Sequence, residues 1–212
     1  MTYEERKELV NKLVEEDNYS PAFQELALLF IENPKDKEVL HNSSFILSRI
    51  IEGNLDFQPQ TAEQYLLRGI SKFYKNFFLE SLDDYEKALK IDPEFHYVIR
   101  CKALSLTHLQ KFDLAIIELE KAIKIYPNGE YFDDIAENYA KINDIKNALV
   151  NHEKAITFSS ENPGFWYNYG VQLAESNYIE KAIEMFNKAI EINSKYEDAI
   201  HNRDYYLDFL IE

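Results

Sequence analysis

Apolar residues recur along most of this chain at spacings of three and four. Between residues 163 and 176, Trp166, Tyr169, Gly170 and Leu173 fall at i, i+3, i+4 and i+7, the single apolar stripe of an amphipathic helix. Ser176-Asn177 interrupts the pattern. A second stripe follows, with Ala182, Met185, Phe186, Ala189 and Ile190 on one face and Glu180, Lys181, Glu184 and Lys188 on the other. This predicts two antiparallel helices joined by a short turn. The small residues Gly170, Ala182 and Ala189 mark the places where two helix backbones approach closely, since a larger side chain there would push them apart.

The same phrase is written four times: SLDDYEKALKIDP, LAIIELEKAIKIYP, NALVNHEKAITFSS and KAIEMFNKAIEINS. The small residue of each falls at Ser81, Ala115, Ala148 and Ala182, with a second at Ala88, Ala122, Ala155 and Ala189, so the period is close to 34. On these residues the chain resembles the tetratricopeptide-repeat (TPR) family, whose helix-turn-helix unit orders a large residue, a small one, another large one, then Ala, an aromatic, Ala and Pro. The first unit, 62–95, matches with Tyr65, Gly69, Phe78, Tyr85, Ala88 and Pro93, and has Ser81 in an Ala slot. The second, 96–128, offers Ala103, Phe112, Ala115, Leu119, Ala122 and Pro127. The third, 129–162, offers Phe132, Ala136, Tyr139, Ala148 and Ala155, with His152 in the aromatic slot and Ser160 in the Pro slot. The fourth, 163–196, matches with Trp166, Gly170, Ala182, Phe186 and Ala189, and has Ser194 in place of Pro. The resemblance implies an all-α fold, a right-handed α-solenoid of antiparallel helix pairs.

The flanks extend that picture. Residues 1–61 form an N-terminal helical region, in which 3–36 reads as a degenerate unit with Tyr19, Ala22 and Pro34 in matching places. Residues 37–52 form an extra helix, and Gly53 to Gln60 is the one break in the array, as its Gly and Pro indicate. At the other end 197–212 predicts a C-terminal helix that caps the last apolar face.

Composition narrows the function. Lys and Arg number 23 against 38 Asp and Glu, a net charge of −15, so the summed field repels phosphate backbones and anionic lipid surfaces, and nucleic-acid partners are not expected. The apolar run from Phe23 to Ile31 falls far short of the roughly 20 residues of a membrane span. A single cysteine, Cys101, cannot form an internal disulfide, and MTYEERKELV lacks the apolar core of a signal peptide; both favour a cytoplasmic location. No catalytic spacing stands out. The histidines His41, His96, His108, His152 and His201 are scattered, none forms HExxH, and the five glycines form neither GxGxxG nor a P-loop. The expectation is a non-enzyme with no cofactor and no metal, in which His152 is a packed imidazole.

In TPR proteins the concave wall comes chiefly from the first helix of each unit, and the resemblance assigns the groove accordingly. The first unit presents Glu63, Leu66, Leu67, Ile70, Phe73 and Tyr74, and the second presents Tyr97, Arg100, Leu104, Thr107 and His108. The third presents Glu130, Asp133, Asp134, Glu137 and Lys141, and the fourth presents Tyr167, Asn168, Val171 and Glu175. The earlier half is largely apolar and the later half is acidic and polar. A protein or peptide with an apolar anchor and a basic stretch complements such a wall. A plainer reading has Leu66, Leu67, Ile70 and Phe73 packing on the N-terminal helices and the acids serving solubility. The Lys and Asn clamp with which some TPR proteins hold chaperone C-termini is absent, because Leu66, Ile70, Arg100 and Leu104 stand at its positions. The leading expectation is therefore an interaction module, an adaptor or assembly scaffold. The alternative is an acidic inhibitor of the immunity-protein type that occludes a basic enzyme such as a nuclease toxin, and self-association through Tyr205, Tyr206 and Phe209 is a further option.

Overall fold

The computed structural model describes residues 1–33, 46 and 59–210. The expected helix over 37–52 and the break over 53–60 therefore lie outside the described residues, apart from Ile46, Pro59 and Gln60. Among the described residues there are eleven helices and no strand: α1 (Tyr3–Glu15), α2 (Tyr19–Glu32), α3 (Ala62–Tyr74), α4 (Phe78–Ile91), α5 (His96–His108), α6 (Phe112–Ile125), α7 (Gly129–Lys141), α8 (Ile145–Phe158), α9 (Pro163–Glu175), α10 (Ile179–Ile192) and α11 (Glu197–Phe209). The fold is an all-α array of helix pairs of the TPR solenoid type.

One turn geometry recurs between the helices of a pair. Asp17, Asn76, Gln110, Asn143 and Asn177 all have φ between 56° and 64°, the left-handed region. After α3, the Phe77 N–H donates to the Lys72 carbonyl (2.9 Å) and the Asn76 N–H to the Phe73 carbonyl (2.8 Å), which satisfies carbonyls that the helix end leaves open. The same pair of bonds closes α1, α5, α7 and α9. Asn and Asp tolerate this conformation better than most side chains, which is why three of the five positions are Asn. The last four of these residues are spaced 34, 33 and 34 apart, so the sequence period is also a backbone period.

The contacts divide the chain into two compact units, Met1–Ser105 and Leu106–Glu212, with the division inside α5. In the first unit, α1 packs on α2 and α2 on α3. Val10, Phe23, Leu26, Ile46, Leu66, Leu67, Ile70 and Tyr85 form one buried cluster. Leu66 (1% exposed) and Ile70 (5%) therefore belong to the core and not to an open groove. Their neighbours in the N-terminal helices cover the positions that a groove would need. Gly69 lies directly under the Tyr85 ring, where a Cβ would collide with the aromatic carbons. Ser81, which replaces the family's Ala, is accommodated because its hydroxyl donates to the Phe78 carbonyl and shares a buried hydrogen bond with Ser105 Oγ (2.8 Å).

In the second unit the pairs α7/α8 and α9/α10 are closely packed, and α11 lies on α10. Gly170 repeats the arrangement of Gly69, since a Cβ there would stand 2.7 Å from Phe186 Cε1. Ala199 and the half-buried Tyr206 carry the contact of α11 with the cluster around Leu173, Ala182 and Phe186. Tyr205, Leu207 and Leu210 remain exposed. Of the residues named for self-association, Tyr206 is thus partly used in this packing, and the Phe209 side chain lies outside the described set.

Candidate partner-binding surface

The starts of α7 and α9 are fixed by matching caps. Asn128 Oδ1 accepts from the Glu130 N–H (2.8 Å) and Asn162 Oδ1 from the Gly164 N–H (3.0 Å), while Pro163 supplies the preset φ of a first helical position. The two helices thus begin with matching caps and touch one another within the second unit. Their exposed side chains form one surface within the second unit.

Beneath that surface lies a polar cluster that ties three helices. His152 of α8 is only 2% exposed, and its Nδ1 is 2.8 Å from Asp133 Oδ1 on α7. Asn168 of α9 donates through Nδ2 to the other carboxylate oxygen of Asp133 (2.7 Å). Asp133 is buried, so it organises the wall from behind and does not present a charge at its surface. Nearby, Asn138 donates to the Asp134 carbonyl and accepts from the Thr107 hydroxyl (2.8 Å). Buried polar groups satisfied in this way hold the helices in one register.

Above the cluster is an open depression of about 330 Å³, lined by Glu137 and Lys141 of α7, His152 of α8 and Tyr167, Asn168 and Glu175 of α9, among others. Glu137 keeps a solvent-exposed face, yet the protein around it strips water from the carboxylate and the charges of Asp133 and Asp134 add repulsion; together they push its carboxyl up to about 7. Tyr167 accepts a hydrogen bond from Asn202 Nδ2 (3.3 Å) and its ring lies 5.3 Å from that of Tyr196. Burial, followed by the charge of Asp198, raises the Tyr167 hydroxyl above its ordinary value. Partial burial, then Tyr167 and Asp198, does the same at Tyr196. Both rings therefore stay neutral and serve as apolar platforms with a polar rim.

The expected groove residues thus separate into classes. Glu137, Tyr167 and Asn168 come together at the depression, with Glu130 and Asp134 on the same helix as Glu137. Asp133 supports from behind. In the first unit, Leu66 and Ile70 are core, Tyr97 packs partly buried against that core, and Arg100 and Leu104 are half-buried. Phe73 makes edge-to-face contacts with Tyr74 and Phe78, at 5.9 and 5.3 Å between ring centres, and Tyr74 is exposed at the end of α3. His108 is exposed on the last turn of α5. Sequence reasoning did not anticipate Gln172, a buried polar residue that also lines the depression. Its place between Val171 and Leu173, beside the apolar stripe, was the available signal. Among the described residues, no group of three His, Cys, Asp or Glu side chains is placed to hold a metal, and no helix is long and apolar enough to cross a membrane. Cys101 is buried and forms no disulfide.

The tetratricopeptide-repeat family model matches residues 102–128 and 163–196. A TPR repeat-containing protein of Methanocaldococcus jannaschii, MJ1428, is 21% identical over 126 residues, which is 59% of this chain and 22% of that protein. The chain spans less than half the length of the curated relatives it matches. Among solved structures, YrrB, described as a TPR protein with an unusual peptide-binding site, superimposes with a TM-score of 0.58 at 23% identity, covering 92% of this chain and 97% of its own. TTC0263, a thermophilic TPR protein of Thermus thermophilus, gives 0.64 at 13% identity over 97% and 99% of the two chains. The family matches fall on helix pairs whose turns repeat at the family's own period, and over those residues the chain matches the tetratricopeptide-repeat family.

Proposed function

We propose that the surface formed by α7 and α9 binds an extended, basic segment of a partner protein. TPR arrays are protein-interaction scaffolds, generally without catalytic activity of their own, and the unpaired faces of stacked helices are where such arrays hold their ligands. The observation that carries the proposal is the depression itself, which Glu137, Glu175 and Tyr167 line together with His152 and Asn168, the last two fixed by their hydrogen bonds to Asp133. Residues 129–162 carry a net charge of −4, the most acidic of the four units, so an approaching cationic segment is steered to this region. The peptide-binding site named for YrrB lends the reading support by analogy of fold.

The test is a fluorescence-polarisation screen of extended peptides of basic, neutral and acidic composition against the parent chain and Asp134→Lys. Basic peptides should bind the parent and weaken severalfold on the charge reversal, while the unfolding midpoint stays nearly unchanged. A large loss of thermal stability in Asp134→Lys would instead assign that carboxylate to packing. The inhibitor reading, which rests on the net charge of −15, demands a whole-protein basic partner whose on-rate falls steeply with ionic strength. A complex insensitive to salt would dispose of it.

A further inference from the structure

Two side chains at the depression are almost wholly buried and yet not fully used. His152 spends Nδ1 on Asp133, and among the described residues its Nε2 has no protein partner. With Asp133 accepting at Nδ1, the neutral ring carries its lone pair on Nε2, so that nitrogen is an acceptor. Gln172 is 5% exposed and its Nε2 reaches the Ser176 hydroxyl at 3.4 Å, which leaves the amide oxygen Oε1 without a partner among the described residues. Neither atom is buried without a partner, so each meets the water of the depression, and a ligand that donates to it takes the place of that water.

To these two acceptors the depression adds the carboxylates of Glu137 and Glu175, while the Nδ2 of Asn168 is already committed to Asp133. Among the described residues that line it, Lys141 is the one permanent cation. The site therefore offers many acceptors and few donors, with the partly exposed Tyr167 ring beside them. We infer that this depression is a subsite for an arginine side chain of the bound segment. A guanidinium brings five N–H donors in a rigid planar fork, enough to serve acceptors from three helices at once, and its flat face suits an aromatic ring. Lysine presents a compact ammonium with three donors, and citrulline keeps the shape of arginine without the charge.

Binding should also depend on pH. The titratable and charged groups that face Glu137 are Asp133, Asp134 and Lys141 on its own helix, His152 on α8 and Glu175 on α9. A guanidinium seated among them favours the ionised Glu137, so affinity should rise between pH 6 and pH 8.

This inference rests on the wall formed by α7 and α9 being the ligand surface, and the experiment separates the two. The 15N-labelled full chain is titrated with N-acetyl-arginine amide, N-acetyl-lysine amide and N-acetyl-citrulline amide, followed by amide and imidazole chemical shifts. The expected result is saturable shifts centred on Glu137, His152, Gln172 and Glu175, with arginine at least fivefold tighter than lysine and citrulline weaker by tenfold or more. Glu175→Gln should weaken arginine severalfold, and Glu180→Gln, exposed on α10, should not. Equal, unsaturable shifts from arginine and lysine across all acidic faces would overturn the subsite. So would arginine-free peptides that bind α7 and α9 as tightly as arginine-containing ones, although the wall would then stand. If neither the amides nor any peptide moves the α7 and α9 resonances, the wall and the subsite fall together.

Discussion

Asp84 provides the sharpest test of how the first unit is held together. It is 0% exposed, and its carboxylate receives Arg68 through Nε at 3.0 Å and Nη2 at 2.5 Å, with Lys72 Nζ at 2.7 Å. Removing one partner from a buried ion pair costs about 3–5 kcal/mol when the remaining charge is trapped. Here the Arg68 and Lys72 side chains retain 18% and 27% exposure, so both can turn toward water, and an asparagine would keep one carbonyl oxygen for the guanidinium. Asp84→Asn should therefore cost roughly 2–3 kcal/mol, below that range. At about 2–4 °C per kcal/mol for a chain of this length, the melting temperature should fall by roughly 4–12 °C. A double-mutant cycle with Arg68→Met, measured by urea unfolding with circular dichroism, should return a coupling of about 1.5–3 kcal/mol. Asp83→Asn, one residue away and exposed, is the control and should leave the midpoint unchanged. A loss below about 0.5 kcal/mol for Asp84→Asn, or a coupling near zero, would refute the claim that this carboxylate fastens α4 to α3.

Three further outcomes are expected. Gly170→Ala places a Cβ against the Phe186 ring and should destabilise by about 1–3 kcal/mol, and adding Phe186→Leu should recover part of that loss; a neutral Gly170→Ala in thermal unfolding contradicts the close packing. Gln110→Gly relieves a left-handed backbone at φ 59° and should stabilise by about 0.5–1 kcal/mol, whereas the same change at a right-handed helix position such as Lys121 should destabilise. Glu137 holds its proton up to about 7 in the folded chain, but an unfolded chain releases it near pH 4.3, so between those values the folded state binds more protons and stability falls as pH rises, levelling above pH 7. Glu137→Gln should accordingly match the parent near pH 4 and gain on it progressively to pH 7.5, and midpoints that track each other at every pH would show that the carboxyl is not perturbed.

Much of this was legible because helical period and burial coincide. Ser81, Asp84, Tyr85 and Ala88 are spaced i, i+3, i+4 and i+7, and all four are buried, so even the buried acid could be told from its exposed neighbour Asp83 by phase alone. The turns were less readable. Only Ser176-Asn177 marked itself as a break, because Gln110 and Asp17 do in their turns what Asn does elsewhere, and no residue type signals a left-handed backbone when glycine is not used. The assignment of Leu66 and Ile70 to an open groove failed for a different reason. Position within a repeat says which way a side chain points, but not whether a neighbouring element covers it, and here the N-terminal helices do. Their apolar identity was the better guide. At the depression, the acids and Tyr167 could be placed from the repeat, whereas the partnership of Asp133, His152 and Asn168 depends on three helices meeting, which a single sequence does not display.

The odd residue of the third unit has a steric cause that connects packing to binding. In the first and fourth units a six-membered ring, Tyr85 or Phe186, sits sixteen residues after a glycine whose missing Cβ makes room for it. In the third unit the residue sixteen before His152 is Ala136, which has a Cβ and is fully buried. A full aromatic ring there would meet the same crowding that a Cβ would create at Gly170, and the smaller imidazole avoids it. But an imidazole is polar on two edges, and burying it requires a partner for each. Asp133, one turn before Ala136 on the same helix, supplies one partner at 2.8 Å. The other edge belongs to a residue that lines the depression. Exchanging a glycine and a ring for an alanine and a histidine therefore keeps the helices packed while converting an apolar contact into a fixed polar one. The same exchange that made this unit the least regular of the four gives it a feature that the glycine-and-ring units lack, a polar ring at the lining of the depression.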